Sequence, residues 1–251
     1  MFELTTPSGS GVCFDQDEKL FWPRSLFGVD CADMRAATWP GALRGPALVC
    51  TTDKRYDGYD FTLVSCAQNN GEITVHWQAG ELGLVSRWRM DTASATLCRQ
   101  DTLTNTGRTP VTLTRLLSRI ALQRGEYEVY AQSGRWANES QGYWLPLHTS
   151  RITLFNEQGR TTQNSTPYAC LRETGVPRGL AFHILPLGNW QVRITSLPVM
   201  NGAAYPVLEL GLADEDLHLT LGPGEEIACP EICIQPMRDG RPESAAPAVH
   251  R

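Results

Sequence analysis

The chain has 251 residues, of which 41% are hydrophobic and 20% charged, and its formal net charge at pH 7 is −5. This composition supports a buried core and excludes wholesale disorder. The modest acidic balance, without long charge runs, argues against nucleic acid or an anionic membrane as the main partner. The sequence contains no apolar run that approaches the ~18 residues of a membrane-spanning helix, so no membrane association is expected.

The first nineteen residues, MFELTTPSGSGVCFDQDEK, lack the basic and apolar regions of a signal peptide. The sequence therefore predicts a cytoplasmic location. The eight cysteines form no Cys-x-x-Cys pair and accompany no histidine pair at zinc-ligand spacing. We expect reduced, mostly buried thiols, with no metal and no other cofactor. They are Cys13, Cys31, Cys50, Cys66, Cys98, Cys170, Cys229 and Cys233.

Hydrophobic and polar residues alternate along much of the chain. The alternation is clear in residues 73–77, 84–90, 190–194, 208–212 and 217–221. A period of two is typical of strands with one buried face. On this pattern Trp77, Trp88 and Trp190 fall on the buried phase, so we expect all three in the core. His76 and His218 fall on the polar phase, which predicts solvent exposure.

Residues 110–123, PVTLTRLLSRIALQ, allow two interpretations. Val111 and Leu113 share one parity, whereas Leu116, Ile120 and Leu122 share the other. The segment is either a helix or a strand in which a bulge shifts the phase. The predicted strands on both sides favour the bulged strand.

Turn sequences rich in Gly, Pro, Asn and Asp separate more than ten short predicted strands. This organisation predicts an all-β fold, a large antiparallel β-sandwich, with residues 1–251 as a single domain. No internal linker or repeat is evident. Only residues 239–251, DGRPESAAPAVHR, loosen in composition, and we interpret them as a domain boundary.

Glycoside hydrolysis requires two carboxylates that flank the scissile bond. The candidates are Glu139, Glu225, Glu231, Asp91 and Asp101. Glu225 in GPGEE is expected to cap a turn, and Asp101 is expected beside a turn, so a catalytic pair within this chain is not favoured. A serine hydrolase is no better supported, because Gly-x-Ser-x-Gly is missing from the sequence.

Sugar binding is the remaining chemistry that the residues favour. Sugar rings stack on aromatic side chains, and sugar hydroxyls bond to Arg, Asn, Asp and Glu. Trp39, Trp136 and Trp144 lie in loop-like sequence, where function concentrates. The stretch SGRWANE, residues 133–139, combines such groups in one turn-like segment. It is either a ligand- or partner-facing loop or a self-contained corner in which Trp136 plugs the sandwich.

Four ordered motifs resemble the N-terminal domain of bacterial α-galactosidases of glycoside hydrolase family 36. They are residues 134–139 (GRWANE), 159–167 (GRTTQNSTP), 179–190 (GLAFHILPLGNW) and 221–231 (LGPGEEIACPE). Two further stretches, LRGPALV at 43–49 and TLTNTG at 102–107, resemble the same family. The sequence departs from the family pattern at Leu187, where a serine is usual, and in a short segment before Arg44.

The resemblance implies a β-supersandwich, similar to galactose-mutarotase-like sandwiches, that precedes a (β/α)8 barrel. In the family that barrel carries the two catalytic aspartates, and this chain shows no βα alternation that would build it. The implied role is therefore non-catalytic, and whether to class the chain as an enzyme is left open. The implied partners are a barrel in cis or in trans, an α-galactoside-type sugar and further copies of the chain in a homo-oligomer.

The motifs suggest residues that face the substrate or the barrel. They are Arg44, Arg135, Trp136, Asn138, Glu139, Asn189 and Trp190. Two rival functions remain. One is an autonomous carbohydrate-binding sandwich without a barrel partner. The other, ranked last because no histidine is suitably placed for acid–base chemistry, is an epimerase of the mutarotase type.

Overall fold

The structure is a computed structural model. It describes residues 1–35, 44–135, 138–148, 151–158, 164–186, 188–198, 204–213 and 217–245. For Arg135 and residues 138–140 it describes the backbone only. Trp39, Trp136 and Leu187 lie outside the described residues.

Alternating sequence becomes β-structure almost throughout the described residues. The first strands are β1 Phe2–Thr5, β2 Gly11–Gln16, β3 Phe21–Leu26, β4 Val29–Asp30, β5 Ala47–Thr51, β6 Arg55–Tyr56 and β7 Thr62–Asn69. The next are β8 Glu72–Ala79, β9 Leu82–Asp91, β10 Thr96–Asn105, β11 Val111–Ala121, β12 Tyr127–Arg135, β13 Asn138–Leu147 and β14 Arg151–Asn156. The last are β15 Asn164–Glu173, β16 Gly179–Leu185, β17 Trp190–Pro198, β18 Ala204–Leu212, β19 Leu219–Leu221, β20 Glu226–Ala228 and β21 Glu231–Met237, and a 3-10 helix spans Pro242–Ser244.

Within the described residues the strands form three antiparallel sheets. A four-stranded sheet has the order β1-β2-β3-β4. A ten-stranded sheet has the order β13-β12-β15-β16-β21-β10-β9-β8-β7, with β20 also paired to β10, and a seven-stranded sheet has the order β14-β17-β18-β11-β5-β6, with β19 also paired to β11. The all-β antiparallel sandwich predicted from the sequence is confirmed.

One hydrophobic core joins the three sheets. It includes Phe14 of the small sheet, Trp77 and Trp88 of the ten-stranded sheet and Trp190 of the seven-stranded sheet. The core positions predicted for the three tryptophans are therefore confirmed. The rings of Phe14 and Trp88 meet edge-on at 5.1 Å, which fastens the small sheet to the large one. His76 and His218 are exposed, as their phase predicts.

The ambiguous segment after Pro110 is a bulged strand. The register of β11 on β5 shifts between Leu113 and Arg115. The extra residue reverses the parity, so that Leu113, Leu116 and Ile120 all point into the core. The choice of bulge over helix is confirmed.

The last strand that the structure describes, β21, lies inside the largest sheet. β21 pairs with β16 on one side and with β10 on the other. The chain then turns back over the outer face, where Ala245 packs with Cys170, Ala181 and Met237. The first part of the tail, which loosens in composition, is thus packed against the sheet. Within the described residues no helix has the length and apolar character needed to cross a membrane.

Candidate functional site

Most of SGRWANE is the closing end of a β-hairpin. Strands β12 and β13 pair from Tyr127–Leu147 to Arg135–Asn138, with a register shift between Ser133 and Arg135. The segment was predicted to be turn-like, but the backbone of Arg135 and Asn138 continues the ladder. Trp136 and the side chains of Arg135, Asn138 and Glu139 lie outside the described part of the structure.

Asn189 lies at the same end of the sandwich as this hairpin. Gly134 of β12 pairs with Asn164 at the start of β15. Because β16 runs antiparallel to β15, β16 ends near the start of β15. The connection from β16 to β17, which contains Asn189, is therefore at this end of the sandwich. The Asn189 side-chain amide donates a hydrogen bond to the Glu157 carbonyl at 3.2 Å. The structure therefore brings the hairpin end and Asn189 to one rim of the molecule.

Trp190 and Arg44 lie elsewhere. Trp190 has 0% of its surface exposed and belongs to the core, so its ring is not displayed to a ligand. Arg44 precedes β5, whose first residue, Ala47, pairs with Ser118 of β11. Trp190 aligns through Leu212 with Leu116, which lies two residues before Ser118 on β11. Arg44 therefore lies away from Trp190 along the strand direction. Its guanidinium stacks over the exposed ring of Tyr59 at 5.0 Å.

Two buried arginines hold the chain at Arg44 and Pro46. Arg99 donates to the carbonyls of Pro46 and Arg119 at 2.7 Å each and forms an ion pair with Asp101. Arg119 donates to the carbonyl of Arg44 at 3.4 Å. The described part of this motif, residues 44–49, is thus held through the backbone carbonyls of Arg44 and Pro46.

A glycine is needed in this motif for a steric reason. Gly45 has φ +78°, and a Cβ on it would lie 2.9 Å from the Cα of Gly58. Only glycine tolerates both the left-handed conformation and this close approach of two backbone segments. The same segment positions Asp57 against Arg119.

The buried charges form a continuous row across the seven-stranded sheet. Arg119 binds Glu209 at 2.7 Å, and the other carboxylate oxygen of Glu209 lies 3.6 Å from Arg193. Asp57 completes the set with an ion pair to Arg119. Burial opposes ionisation of Asp57, but the charge and hydrogen bond of Arg119 outweigh it, so the pKa of Asp57 is lowered.

The outer face of the ten-stranded sheet carries a second polar and aromatic region. Tyr130 and Trp144 face each other across the hairpin with ring centroids 5.5 Å apart. Arg172 stacks 3.8 Å from the Trp144 ring and pairs with Glu128 at 2.9 Å. These side chains and the tail around Glu243 line an open cavity of about 660 Å³. Trp144 was predicted in loop-like sequence but lies within strand β13.

The candidate carboxylates in the described chain all have structural partners. They are Arg89 for Glu231, the Gly222 amide for Glu225, the Ser94 hydroxyl for Asp91 and Arg99 for Asp101. Glu225 caps a turn as expected. Asp101 does not flank a turn, because it lies buried in the middle of β10 and neutralises Arg99. The side chain of Glu139 is outside the described residues.

Two of the motifs that resemble the family, residues 102–107 and 221–231, are joined by hydrogen bonds. Asn105, from TLTNTG, is fully buried and donates from its amide to the carbonyls of Leu221 and Thr109 at 2.9 and 2.8 Å. The backbone N–H of Asn105 donates a hydrogen bond to the backbone carbonyl of Glu225 at 3.0 Å. The two motifs, 116 residues apart at this contact, therefore build one structural corner.

Comparison with protein-family models shows which family has a sequence of this kind. The model of the glycosyl hydrolase family 36 N-terminal domain matches residues 44–195. The chain belongs to this family. The match begins at the arginine whose carbonyl Arg119 binds and ends inside β17, so it covers the hairpin and most of the buried charge row.

Solved structures share the fold of this family 36 N-terminal domain. The galactosidase domain of an α-galactosidase–sucrose kinase is 16% identical, with a TM-score of 0.75, over 95% of this chain and 41% of that one. A variant of the family 36 α-galactosidase AgaA of Geobacillus stearothermophilus is 15% identical, with a TM-score of 0.76, over 99% of this chain and 42% of that one. The α-galactosidase of Lactobacillus brevis is 15% identical, with a TM-score of 0.70, over 95% of this chain and 39% of that one.

This family 36 N-terminal domain spans about two fifths of the length of those three proteins. At such identities the likeness establishes the fold alone. A comparison with curated proteins found no match.

The sequence pattern did not predict the buried charge network. Charged residues within strands are usually solvated, and Arg99, Asp101, Arg119 and Glu209 gave no motif. One signal was present in β10, where Arg99 and Asp101 share the phase of the buried residues Leu97 and Leu103. An oppositely charged pair two residues apart on the buried phase of a strand indicates an internal ion pair.

Proposed function

We propose that this chain is the non-catalytic N-terminal domain of an α-galactosidase-like glycoside hydrolase. It packs on a (β/α)8 catalytic barrel, in cis or in trans, and helps to shape the sugar site and the oligomer. Family membership over residues 44–195 carries the proposal. The length of the structural relatives supports it, since the chain covers only 39–42% of the three α-galactosidase proteins compared above.

The rim formed by the hairpin end and Asn189 is the surface that we propose for this contact. The rim projects from the edge of the ten-stranded sheet, because β13 is the terminal strand of that sheet. Arg135, Trp136, Asn138, Glu139 and Asn189 would present hydrogen-bonding groups and one indole face to the barrel or the sugar. Trp190 belongs to the core and Arg44 lies directly before β5, so we assign both residues a structural role instead.

Residues 1–251 act as a single unit in this proposal. The small N-terminal sheet shares the hydrophobic core with both larger sheets, and the tail after β21 packs on the outer face. A cytoplasmic location stays a prediction from the sequence.

The first test compares the isolated chain with the native polypeptide. We expect immunoblotting and intact mass measurement in the native source to give a mass above 27.8 kDa, and that polypeptide to hydrolyse 4-nitrophenyl α-galactoside. The isolated chain should release no nitrophenol above the blank, because the described candidate carboxylates Asp91, Asp101, Glu225 and Glu231 are engaged in structural contacts. Hydrolysis by the isolated chain, or a native mass of 27.8 kDa together with no barrel protein that binds it, overturns the proposal.

The rim is tested in the native polypeptide by Trp136→Ala and Asn189→Ala. Loss of one good contact to the sugar or to the barrel raises KM or weakens assembly about tenfold. Val64→Ser, at an exposed residue of the opposite edge strand β7, is the control and should change neither quantity. Wild-type KM and assembly in both rim variants would remove the rim from the proposed contact.

A specific observation supports the rival function, sugar binding by the sandwich alone. The open cavity beside Trp144 and Tyr130 combines aromatic faces with charged groups. Against it, Arg172 already covers one face of Trp144. Titration of the isolated chain with galactose and melibiose decides the matter, since the rival predicts a binding isotherm that Trp144→Ala abolishes and the main proposal predicts none.

A further inference from the structure

Two cysteines meet on the outer face of the ten-stranded sheet. Cys98 of β10 lies directly opposite Cys233 of β21, and their sulfur atoms are 4.0 Å apart. Glu231 precedes Cys233 by two residues and therefore points to the same face. The sulfur atoms of Cys98 and Cys233 and a carboxylate oxygen of Glu231 all lie within 4.8 Å of one another.

The spacing of these atoms fits a chelated metal ion. In a tetrahedral zinc site with Zn–S bonds of ~2.3 Å, two thiolate sulfurs are about 3.8 Å apart. The observed 4.0 Å is close to this value, whereas a disulfide requires ~2.05 Å. We propose that Cys98, Cys233 and Glu231 bind a zinc ion, with water as the fourth ligand.

The neighbouring arginine matches this assignment in charge and in geometry. Arg89, directly opposite Cys98 on β9, donates to Oε1 of Glu231 at 2.7 Å. A carboxylate has a second oxygen that can bind the metal. The two thiolates and the carboxylate carry three negative charges, which Zn²⁺ and Arg89 together balance. Arg89 thereby orients the oxygen ligand, as the outer partners of metal ligands commonly do.

The position of the site indicates what the ion does. The β10–β21 ladder has only three residue pairs, Leu97–Ile234 to Arg99–Ile232, and it joins the two halves of the ten-stranded sheet. The two thiols come from positions 135 residues apart in the chain. An ion held by both strands closes this junction and stabilises the folded state by binding it alone.

Spacing rules for zinc motifs do not reveal such a site. They recognise ligands that are close in sequence, whereas these ligands converge only when β21 inserts beside β10. The prediction that the cysteines bind no metal was based on this local spacing and did not consider ligands from distant strands. The proposed site does not depend on the proposed glycosidase role, and none of its tests uses activity.

The first experiment titrates the reduced, chelator-treated 251-residue chain with Co²⁺ as a spectroscopic substitute for Zn²⁺. We expect one equivalent to bind, with a thiolate-to-cobalt charge-transfer band in the near ultraviolet and displacement by Zn²⁺. Cys98→Ser and Cys233→Ser should abolish the band, and Arg89→Gln should weaken binding tenfold or more. Cys66→Ser, a half-buried thiol on β7 of the same sheet, is the matched control and should bind as wild type.

A second experiment needs no variant and so stays decisive if a serine variant fails to fold. The wild-type chain is alkylated with iodoacetamide, with and without Zn²⁺, and the modified peptides are identified by mass spectrometry. Zinc should protect the buried Cys98 and the half-buried Cys233 and leave the alkylation rates of the half-buried thiols Cys13, Cys50 and Cys66 unchanged. Unchanged rates at Cys98 and Cys233, cobalt binding that survives the Cys98→Ser/Cys233→Ser change, or spontaneous Cys98–Cys233 disulfide formation in air with no metal retained would each overturn the proposal.

Discussion

At the scale of single residues, Arg119 is the centre of a buried network of charges in the seven-stranded sheet. Arg119 is 2% exposed and is satisfied by Glu209, by Asp57 and by the carbonyl of Arg44. Removing a partner of such a group is costly because the remaining charge stays out of water. The network also fixes the position of the chain just before β5, through the bond from Arg119 to the Arg44 carbonyl. It thereby helps to set where β5 joins the seven-stranded sheet.

Asp57 makes this network sensitive to acid. Because its pKa in the folded state is lowered by Arg119, its contribution to stability is fully present above the unfolded value near pH 4 and is lost as pH falls through the folded pKa. We expect Asp57→Asn to lower the free energy of unfolding by about 1–3 kcal/mol at pH 7. The difference from wild type should shrink below about pH 4.

Urea unfolding of both proteins from pH 7 to pH 3 measures this difference. Asp53→Asn, at an exposed neighbouring residue, is the control and should stay within about 0.5 kcal/mol of wild type. A deficit of Asp57→Asn that remains constant down to pH 3 would contradict the assigned role.

At the scale of elements, the β12–β13 hairpin depends on a glycine under an aromatic ring. Gly142 lies opposite Gln132, and a Cβ on it would lie 2.4 Å from Cζ of Tyr130. Tyr130 in turn packs on Trp144 and Tyr168. The ring cluster therefore occupies the space that any larger residue at position 142 would need, and it fixes how the hairpin leaves the sheet.

We expect Gly142→Ala to destabilise the chain by about 1–3 kcal/mol, because the methyl group forces the Tyr130 ring out of its packed position. In a Tyr130→Ala background the same change should cost much less. Thermal unfolding of the four proteins in this double-mutant cycle gives the coupling energy between the two positions. A coupling energy of zero would show that the ring does not restrict position 142.

At the scale of the whole molecule, the ten-stranded sheet is complete only when β21 is in place. β21 separates the β13-β12-β15-β16 half of the ten-stranded sheet from the β10-β9-β8-β7 half. Its inward residues Ile232 and Ile234 are fully buried. Without this strand, β16 and β10 each lose a partner and expose unpaired backbone, which favours aggregation.

A chain that ends at Ala228 should therefore lose cooperative unfolding and its strand circular dichroism signal, whereas a control that ends at Ala245 keeps both. Comparison of the two truncated chains by circular dichroism and thermal melting makes the test. A cooperative transition at the control temperature in the shorter chain would show that β21 is dispensable.

Local pattern determined much of the fold because the burial of one strand face is a local property of the chain. Period-two alternation predicted the strands, the core positions of Trp77, Trp88 and Trp190 and the bulge in β11, and the ordered motifs resembled the family that the comparison then showed. Hydrophobic phase does not reveal which strands become neighbours, however. The order of the ten-stranded sheet, with β21 at its centre, depends on contacts between distant parts of the chain.

The candidate sites likewise include features that the sequence predicted and features that only the tertiary structure showed. The sequence by itself pointed to the hairpin segment and Asn189, and the structure places these at one rim. Only the tertiary structure decided that Asp101 neutralises Arg99 and that Cys98 lies 4.0 Å from Cys233. The physical reason is that side-chain charge and metal affinity depend on which groups share a small volume. Strand pairing brings such groups together across more than a hundred residues, beyond the reach of local spacing.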